Sequence, residues 1–347
     1  MATRSPLNFL KVTPPAVNLA LQGGGAHGAF TWGVLDALLE DGRIGIGAIS
    51  GTSAGAMNAV VLADGLRRGG AEVARQALAD FWYGVGKSMP FDPLVSANNG
   101  DSAALAPLMK LLIHWTHFLS PYQWNPLNLN PLRDVLTALV DFEALRQSPP
   151  VPLFIATTHA NSGRLRLFLE WELTAETVLA SACLPTLQHA IVIEGQAYWD
   201  GGYAANPAVL PLVFDCPSHD TLLVLLSPLE YDQTPRSAEE IHGRALELAF
   251  SASFLREMAF LARIQSAARQ SWLPLGRLER RVARNRFHLL EARELTRQFS
   301  PATKVAAHVP FLEMLRDLGR NQAQEWMSRH RADVGRRSTF DLNTYFA

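Results

Sequence analysis

The chain predicts an α/β fold: a three-layer α/β/α arrangement around a mostly parallel central sheet. Three observations carry that expectation. Short apolar runs alternate with longer stretches of helical period. Two of these runs end abruptly in glycine-framed turns, Gly23-Gly24-Gly25-Ala26-His27-Gly28 and Gly51-Thr52-Ser53-Ala54-Gly55, about one supersecondary unit apart. A third run, ending Tyr198-Trp199-Asp200, delivers an aspartate in front of Gly201 and Gly202.

Taken in order, Val17–Leu21 reads as a buried strand that feeds the first turn. Ala29 to Leu39 follows as a helix, with Asp36 and Glu40 four apart on its expected solvent face. Ile44–Ser50 is a second strand feeding the Ser53 turn, and Ala54–Leu62 a helix whose small first residues let it start against that strand. Pro90–Asp101, with Asn98-Asn99-Gly100, reads as a surface loop. Ala103–Leu119 carries a helical stripe of Leu105, Leu108, Leu111, Leu112, Trp115, Phe118 and Leu119, and 111–132 contains no Asp, Glu, Lys or Arg. Pro121, Pro126 and Pro131 forbid a spanning helix there. Two readings stand for 103–132: a lid or wall that meets acyl chains or the lipid interface, and an ordinary buried helix and loop.

Further along, Val151–Thr157, Leu165–Leu169, Ile191–Ile193 and Thr221–Ser227 read as strands, and Leu132–Arg146 and Thr174–Ala182 as helices. Ala238–Trp272 reads as a long amphipathic helix. Arg277, Arg280, Arg281, Arg284 and Arg286 then cluster around Glu279 as a solvated face that could also meet lipid phosphates. Phe287–Leu290 returns as a strand and Leu312–Arg331 as a final helix. With no repeat or linker, the expectation is one domain over 1–347, with its motifs within about 15–230 and a helical elaboration over about 236–347.

The turns suggest acyl transfer through a serine. Gly51 and Gly55 flank Ser53 so that the chain folds sharply between strand and helix and the hydroxyl stands out from the turn. Gly23 to Gly25 bring backbone N–H groups close to a substrate, and the helix N-terminus behind them adds partial positive charge where an oxyanion would form. Asp200, at a strand end beside Tyr198, Trp199 and Tyr203, offers a carboxylate base in an aromatic, desolvating setting. A nucleotide-phosphate cradle would need a Gly-Lys-Ser/Thr ending that the first turn lacks. A Ser, Asp, His hydrolase would need a histidine after Asp200; His219, His242, His288 and His308 exist, but none sits in a recognisable turn after a strand. His114, His117, His159 and His189 show no metal-ligand spacing.

These three motifs, in this order, resemble the patatin-like phospholipase family over roughly residues 15 to 230, together with Ala180-Ser181-Ala182-Cys183-Leu184-Pro185 and Asn206-Pro207. The resemblance implies a Ser-Asp dyad without histidine: Ser53 as nucleophile, Asp200 as general base and acid. It also implies an oxyanion hole from Gly23, Gly24, Gly25 and Ala54, supported by His27, Gly28, Gly51, Gly55, Gly201 and Gly202. No metal or cofactor is implied. Where the family usually has Arg or Lys in its glycine-rich motif, this chain has His27, read either as a neutral ring bonding the loop backbone or as a charge that titrates near neutrality. The expected activity is lipid acyl ester hydrolysis through an acyl-enzyme. The alternatives are a soluble carboxylesterase or thioesterase and a non-catalytic lipid-binding or regulatory protein.

Composition excludes little but consistently. A net charge of −1 over 347 residues announces neither nucleic acid nor a strongly anionic surface as partner. Two cysteines, Cys183 and Cys216, are too few for a disulfide framework. Between Arg4 and Lys11 the apolar run is too short for a secretory core. The expected setting is therefore cytoplasmic, with a lipid substrate and peripheral membrane contact.

Overall fold

The computed structural model describes residues 14–88, 119–231, 233–272, 274–293, 299 and 301–346. Among them, eight strands form one sheet: β1 (Ala16–Leu21), β2 (Gly45–Thr52), β3 (Leu153–His159), β4 (Leu165–Leu169), β5 (Ile191–Ile193), β6 (Gln196–Asp200), β7 (Asp220–Leu225) and β8 (Arg286–Glu291). Their order is β5-β6-β3-β2-β1-β7-β8, with β4 hairpinned onto β3. The five strands β3, β2, β1, β7 and β8 are parallel, whereas β4 and β6 run against β3 and β5 against β6. The chain places β2 and β3 on one side of β1 and β7 and β8 on the other, so winding reverses between β1 and β7. In open α/β sheets that reversal leaves a crevice beyond the strand ends.

Both faces of the sheet are covered, as the strand period of two requires. Val17, Leu19 and Leu21 of β1, with Leu222 and Val224 of β7, face a core that holds Phe30, Trp32 and Phe311. Ala20, Leu223 and Leu225 face a second core that holds Phe254, Met258 and Phe340. The three-layer, mostly parallel architecture expected from the sequence is the one observed.

Several elements differ from expectation for local reasons. The helix beginning at Ala54 runs to Ser88, bent where Gly69 and Gly70 leave helical geometry. The single helix expected over 132–146 is two, Pro131–Leu139 and Phe142–Gln147, because the Asp141 carboxylate accepts the Ala144 N–H and starts a new helix. The late helix is Val309–His330, capped by the His308 ring, and a short helix Leu342–Phe346 follows. Glu40 is exposed as expected, but Asp36 is buried, and Arg75 and Arg320 pair with both. The helix Val309–His330 lies against Gly28–Asp41 there, close enough that a side chain at Gly33 would strike the Arg316 carbonyl. The arginine cluster is only partly a solvated face. Arg281 donates to the Val213 and Cys216 carbonyls, and Arg286 pairs with Asp220.

The expectations for 90–101 and 103–118 lie outside the described residues. The described remainder of the uncharged segment is surface rather than core: Tyr122, Trp124, Leu127 and Leu129 are all exposed, and Tyr122 stacks on His189. Among the described residues, no helix is long and apolar enough to cross a membrane.

Candidate active site

Between the last residue of β2, Thr52, and the first of the next helix, Ala54, a single residue makes the turn. Ser53 adopts a φ of 54°. A non-glycine residue held there stores on the order of 1–3 kcal/mol, and the surroundings must enforce it. They do so from three sides. The Ser53 N–H donates to Ser181 Oγ at 2.9 Å, and the Ser181 hydroxyl donates in turn to the Ala156 carbonyl at 2.6 Å. Thr52 Oγ1 donates to the Ala205 carbonyl at 2.8 Å. Gly51 and Gly55 close the turn on itself, a Cβ on Gly51 falling 2.6 Å from the Gly55 carbonyl oxygen.

Asp200 arrives from the opposite direction. It ends β6, which runs antiparallel to β3 and pairs Asp200 with Thr157, while Thr52 pairs with Ala156 one residue away. A descending strand thus sets the aspartate beside the top of an ascending one. Its backbone is fixed by Asp200 N–H donating to the Cys183 carbonyl and by Thr158 Oγ1 donating to the Asp200 carbonyl, each at 2.8 Å. The carboxylate is buried, accepts the Gly202 N–H at 2.7 Å and lies beside the Ser53 hydroxyl. Burial pushes its pKa up to about 7, against the opposing pull of the Gly202 N–H and the Ser53 hydroxyl. Among the described residues no cation pairs with it. The aromatic setting read from the sequence is present, with Tyr198 buried against Phe168 and Tyr203 packed on Phe250. Gly201 and Gly202 admit the Ala156 carbonyl and the Phe250 ring, both of which a side chain would strike.

The glycine loop leaves β1 beside this pair. Gly23 lies against Ser53, a Cβ there falling 2.7 Å from the Ser53 Cβ. Its N–H is already engaged, donating to Asn206 Oδ1 at 2.7 Å, which removes Gly23 from the expected set of oxyanion donors. Among the described residues nothing accepts the N–H groups of Gly24 and Gly25, and the left-handed Gly25, φ 58°, turns the loop toward its helix. Ala54 contributes the first N–H of the helix Ala54–Ser88. Gly28 opens the helix Gly28–Asp41 in close contact with Ala54.

His27 is the neutral ring of the first reading, but its partner is not the one expected. Its Nε2 lies 2.8 Å from Thr303 Oγ1 rather than on the loop backbone, and its Nδ1 has no hydrogen-bond partner among the described residues. Burial, with Lys304 nearby, pushes its pKa down to about 3, so the ring is neutral throughout the physiological range instead of titrating within it. The four later histidines stand apart from the pair. His288 bonds Asp220, His308 caps a helix, His219 precedes β7 and His242 lies on the helix Ala238–Gln270.

Residues 19–213 match the family model for patatin-like phospholipases. The matched stretch is more than half of the 347 residues and contains all three turns. The chain belongs to the patatin-like phospholipase family. Among solved structures, VipD from Legionella pneumophila is similar at a TM-score of 0.41 and 15% identity, over 91% of this chain and 67% of that one. ExoU from Pseudomonas aeruginosa, in complex with SpcU, gives 0.30 and 15% over 95% and 76%. Another ExoU structure gives 0.27 and 17% over 95% and 78%. These likenesses are loose, and the family match carries the assignment. No curated protein sequence matches the chain. Membership supports lipid hydrolysis as the activity of this patatin-like chain.

Four contributors to the site carried no role in the sequence reading. Ser181 and Asn206 lie in stretches that resemble the family but look like ordinary helix and loop residues until their partners, Ser53 and Gly23, are brought to them. Thr303 and Lys304 close over His27 and Gly25 from more than 270 positions away, with no local signal.

Proposed function

We propose that the chain is a serine lipid acyl hydrolase that cleaves fatty acyl esters of glycerophospholipids with Ser53 and Asp200 as a dyad. The observation that carries this reading is a buried carboxylate, raised to about 7 and without a cation among the described residues, beside a serine in a strained turn and glycine N–H groups that no described residue accepts. A general base works best with a pKa near the operating pH, and an ordinary aspartate at about 3.9 falls short of that.

Ser53 Oγ attacks the ester carbonyl as Asp200 takes its proton. The N–H groups of Gly24, Gly25 and Ala54 hold the developing oxyanion, with the helix N-termini behind them adding to the field. As the tetrahedral intermediate collapses, Asp200 returns the proton to the departing alcohol. Water then repeats the exchange on the acyl-enzyme and releases the fatty acid.

Fatty acid release from mixed phospholipid vesicles tests this, with Ser53→Ala and Asp200→Asn in parallel and folding checked by circular dichroism. Release by the wild type and its loss in both variants is the expected outcome. No release by the folded wild type overturns the phospholipase reading, and turnover of dissolved short-chain esters without any rise at a lipid interface would place the chain among small-acyl esterases.

A further inference from the structure

A cavity of about 310 Å³ opens where winding reverses between β1 and β7. Its walls are the end of β1 at Gln22, the loop after β7 and the first turns of the helix Ala238–Gln270. The floor is apolar, from Leu225 and Phe254, but the rim presents Ser227, Tyr231, Gln233, Thr234 and Arg244. The Gln22 carboxamide oxygen accepts the Leu226 and Ser227 N–H groups at 2.6 and 3.0 Å, which fixes the wall nearest the glycine loop.

Among the described residues the charges here do not balance. Arg244 and Lys304 both face one carboxylate, Glu247, at 3.6 and 3.1 Å, and all three side chains are largely covered. Tyr231 donates to Glu247 at 2.9 Å and lies under the Arg244 guanidinium. Among the described residues, two cations against one anion leave a surplus positive charge in a partly desolvated place, where a further anion is stabilised more than at open surface. Arg244 stacks on Tyr231, sits beyond hydrogen-bond distance of Glu247 and lines the cavity.

We infer that this cavity is a phosphate subsite that takes the headgroup phosphate of the lipid being hydrolysed, with Arg244 as the contacting cation and Lys304 reinforcing it from the far side of Glu247. The position suits it. Gln22 walls the cavity, and the next residue, Gly23, lies against Ser53, so the cavity adjoins the proposed dyad. The subsite rests on the hydrolase reading for its meaning but not for its detection.

Binding is therefore measured on the full-length Ser53→Ala protein, where no turnover intervenes, by calorimetry with glycerol 3-phosphate, inorganic phosphate and glycerol. Glycerol 3-phosphate should bind, glycerol should not, and Arg244→Gln should weaken binding at least tenfold while Arg244→Lys retains most of it. Equal affinity for inorganic phosphate would make this a free-phosphate site and overturn the headgroup assignment. Binding indifferent to Arg244→Gln in a protein that melts normally would overturn the subsite altogether. In the active protein, the ratio of fatty acid release from phosphatidate to that from diacylglycerol should fall about tenfold in Arg244→Gln, and equal losses on both lipids would contradict the proposal. Success in the binding arm with no hydrolysis would sink the hydrolase reading alone.

Discussion

Two buried aspartates stand at opposite ends of this sheet and are treated in opposite ways. Asp220, which opens β7, receives both Arg286 nitrogens at 3.0 and 2.6 Å, His288 Nε2 at 3.1 Å and the Gly335 N–H at 2.9 Å. Burial pushes its carboxyl up, but the bonds from His288 and Arg286 and the Gly335 N–H outweigh that and hold it far below the usual carboxylate range. Asp200, which ends β6, is buried and meets the Gly202 N–H and Ser53 but no cation among the described residues, and burial wins. The same side chain is thus a fixed anion that ties β7, β8 and the C-terminal segment together at one end, and a group poised to exchange a proton at the other. The difference lies in the company each carboxylate keeps: His288, Arg286 and the Gly335 N–H at Asp220, against the Gly202 N–H and Ser53 at Asp200.

The largest effect expected follows from removing either member of the poised pair. Ser53→Ala or Asp200→Asn should lower kcat about a thousandfold or more, while the fold is kept. Retention of more than a tenth of the wild-type rate in either variant would break the contrast on its functional side.

At the other end the effect should be structural. Asp220→Asn leaves Arg286 and His288 without their anion and should cost about 3 kcal/mol of stability, read by urea denaturation, with the pH midpoint of activity unmoved. The two aspartates should also differ in the sign of their pH linkage. The raised carboxyl of Asp200 makes its ionisation a cost to the fold, absent below the unfolded value of 3.8 and complete above about 7. Asp200→Asn should therefore melt above the wild type at pH 8, and the gap should close toward pH 4. Asp220, with its depressed carboxyl, contributes stability above the unfolded value of 3.8 and loses it in acid, so Asp220→Asn should melt below the wild type at pH 8 and converge with it in acid. Gaps of the same sign would erase the comparison.

Much of this was legible beforehand, for a reason visible in particular residues. Gly51, Ser53 and Gly55 interact with their own neighbours, and Asp200 bonds Gly202 two residues on, so the sequence displays the local half of the site. What it hides is assembled over distance. Asp36 looks solvent-facing until Arg75 and Arg320 arrive, and the sequence leaves His27 with two readings until Thr303 and Lys304 are brought against it. Gly23 looks like an oxyanion donor until Asn206 takes its N–H. The strands were easier still, since β1, β2 and β7 are apolar runs that only a doubly covered sheet accommodates.

Smaller effects sharpen the picture around Ser53. Ser181→Ala removes the acceptor of the Ser53 N–H and should lower kcat about ten- to a hundredfold with KM nearly constant. A change confined to KM or to stability would reduce Ser181 to packing. Smallest of all, His27→Gln should leave the pH midpoint of kcat/KM where it was, because the ring is already neutral; a shifted midpoint would restore His27 as a titrating group.

The most direct test follows both carboxyls in one sample, by carbon-detected NMR titration of aspartate-labelled protein from pH 3 to 9. Asp200 should titrate near 7 and Asp220 should show no inflection in that range. Two inflections near 4 would contradict the account, because burial without a cation would then have failed to set the Asp200 carboxylate apart.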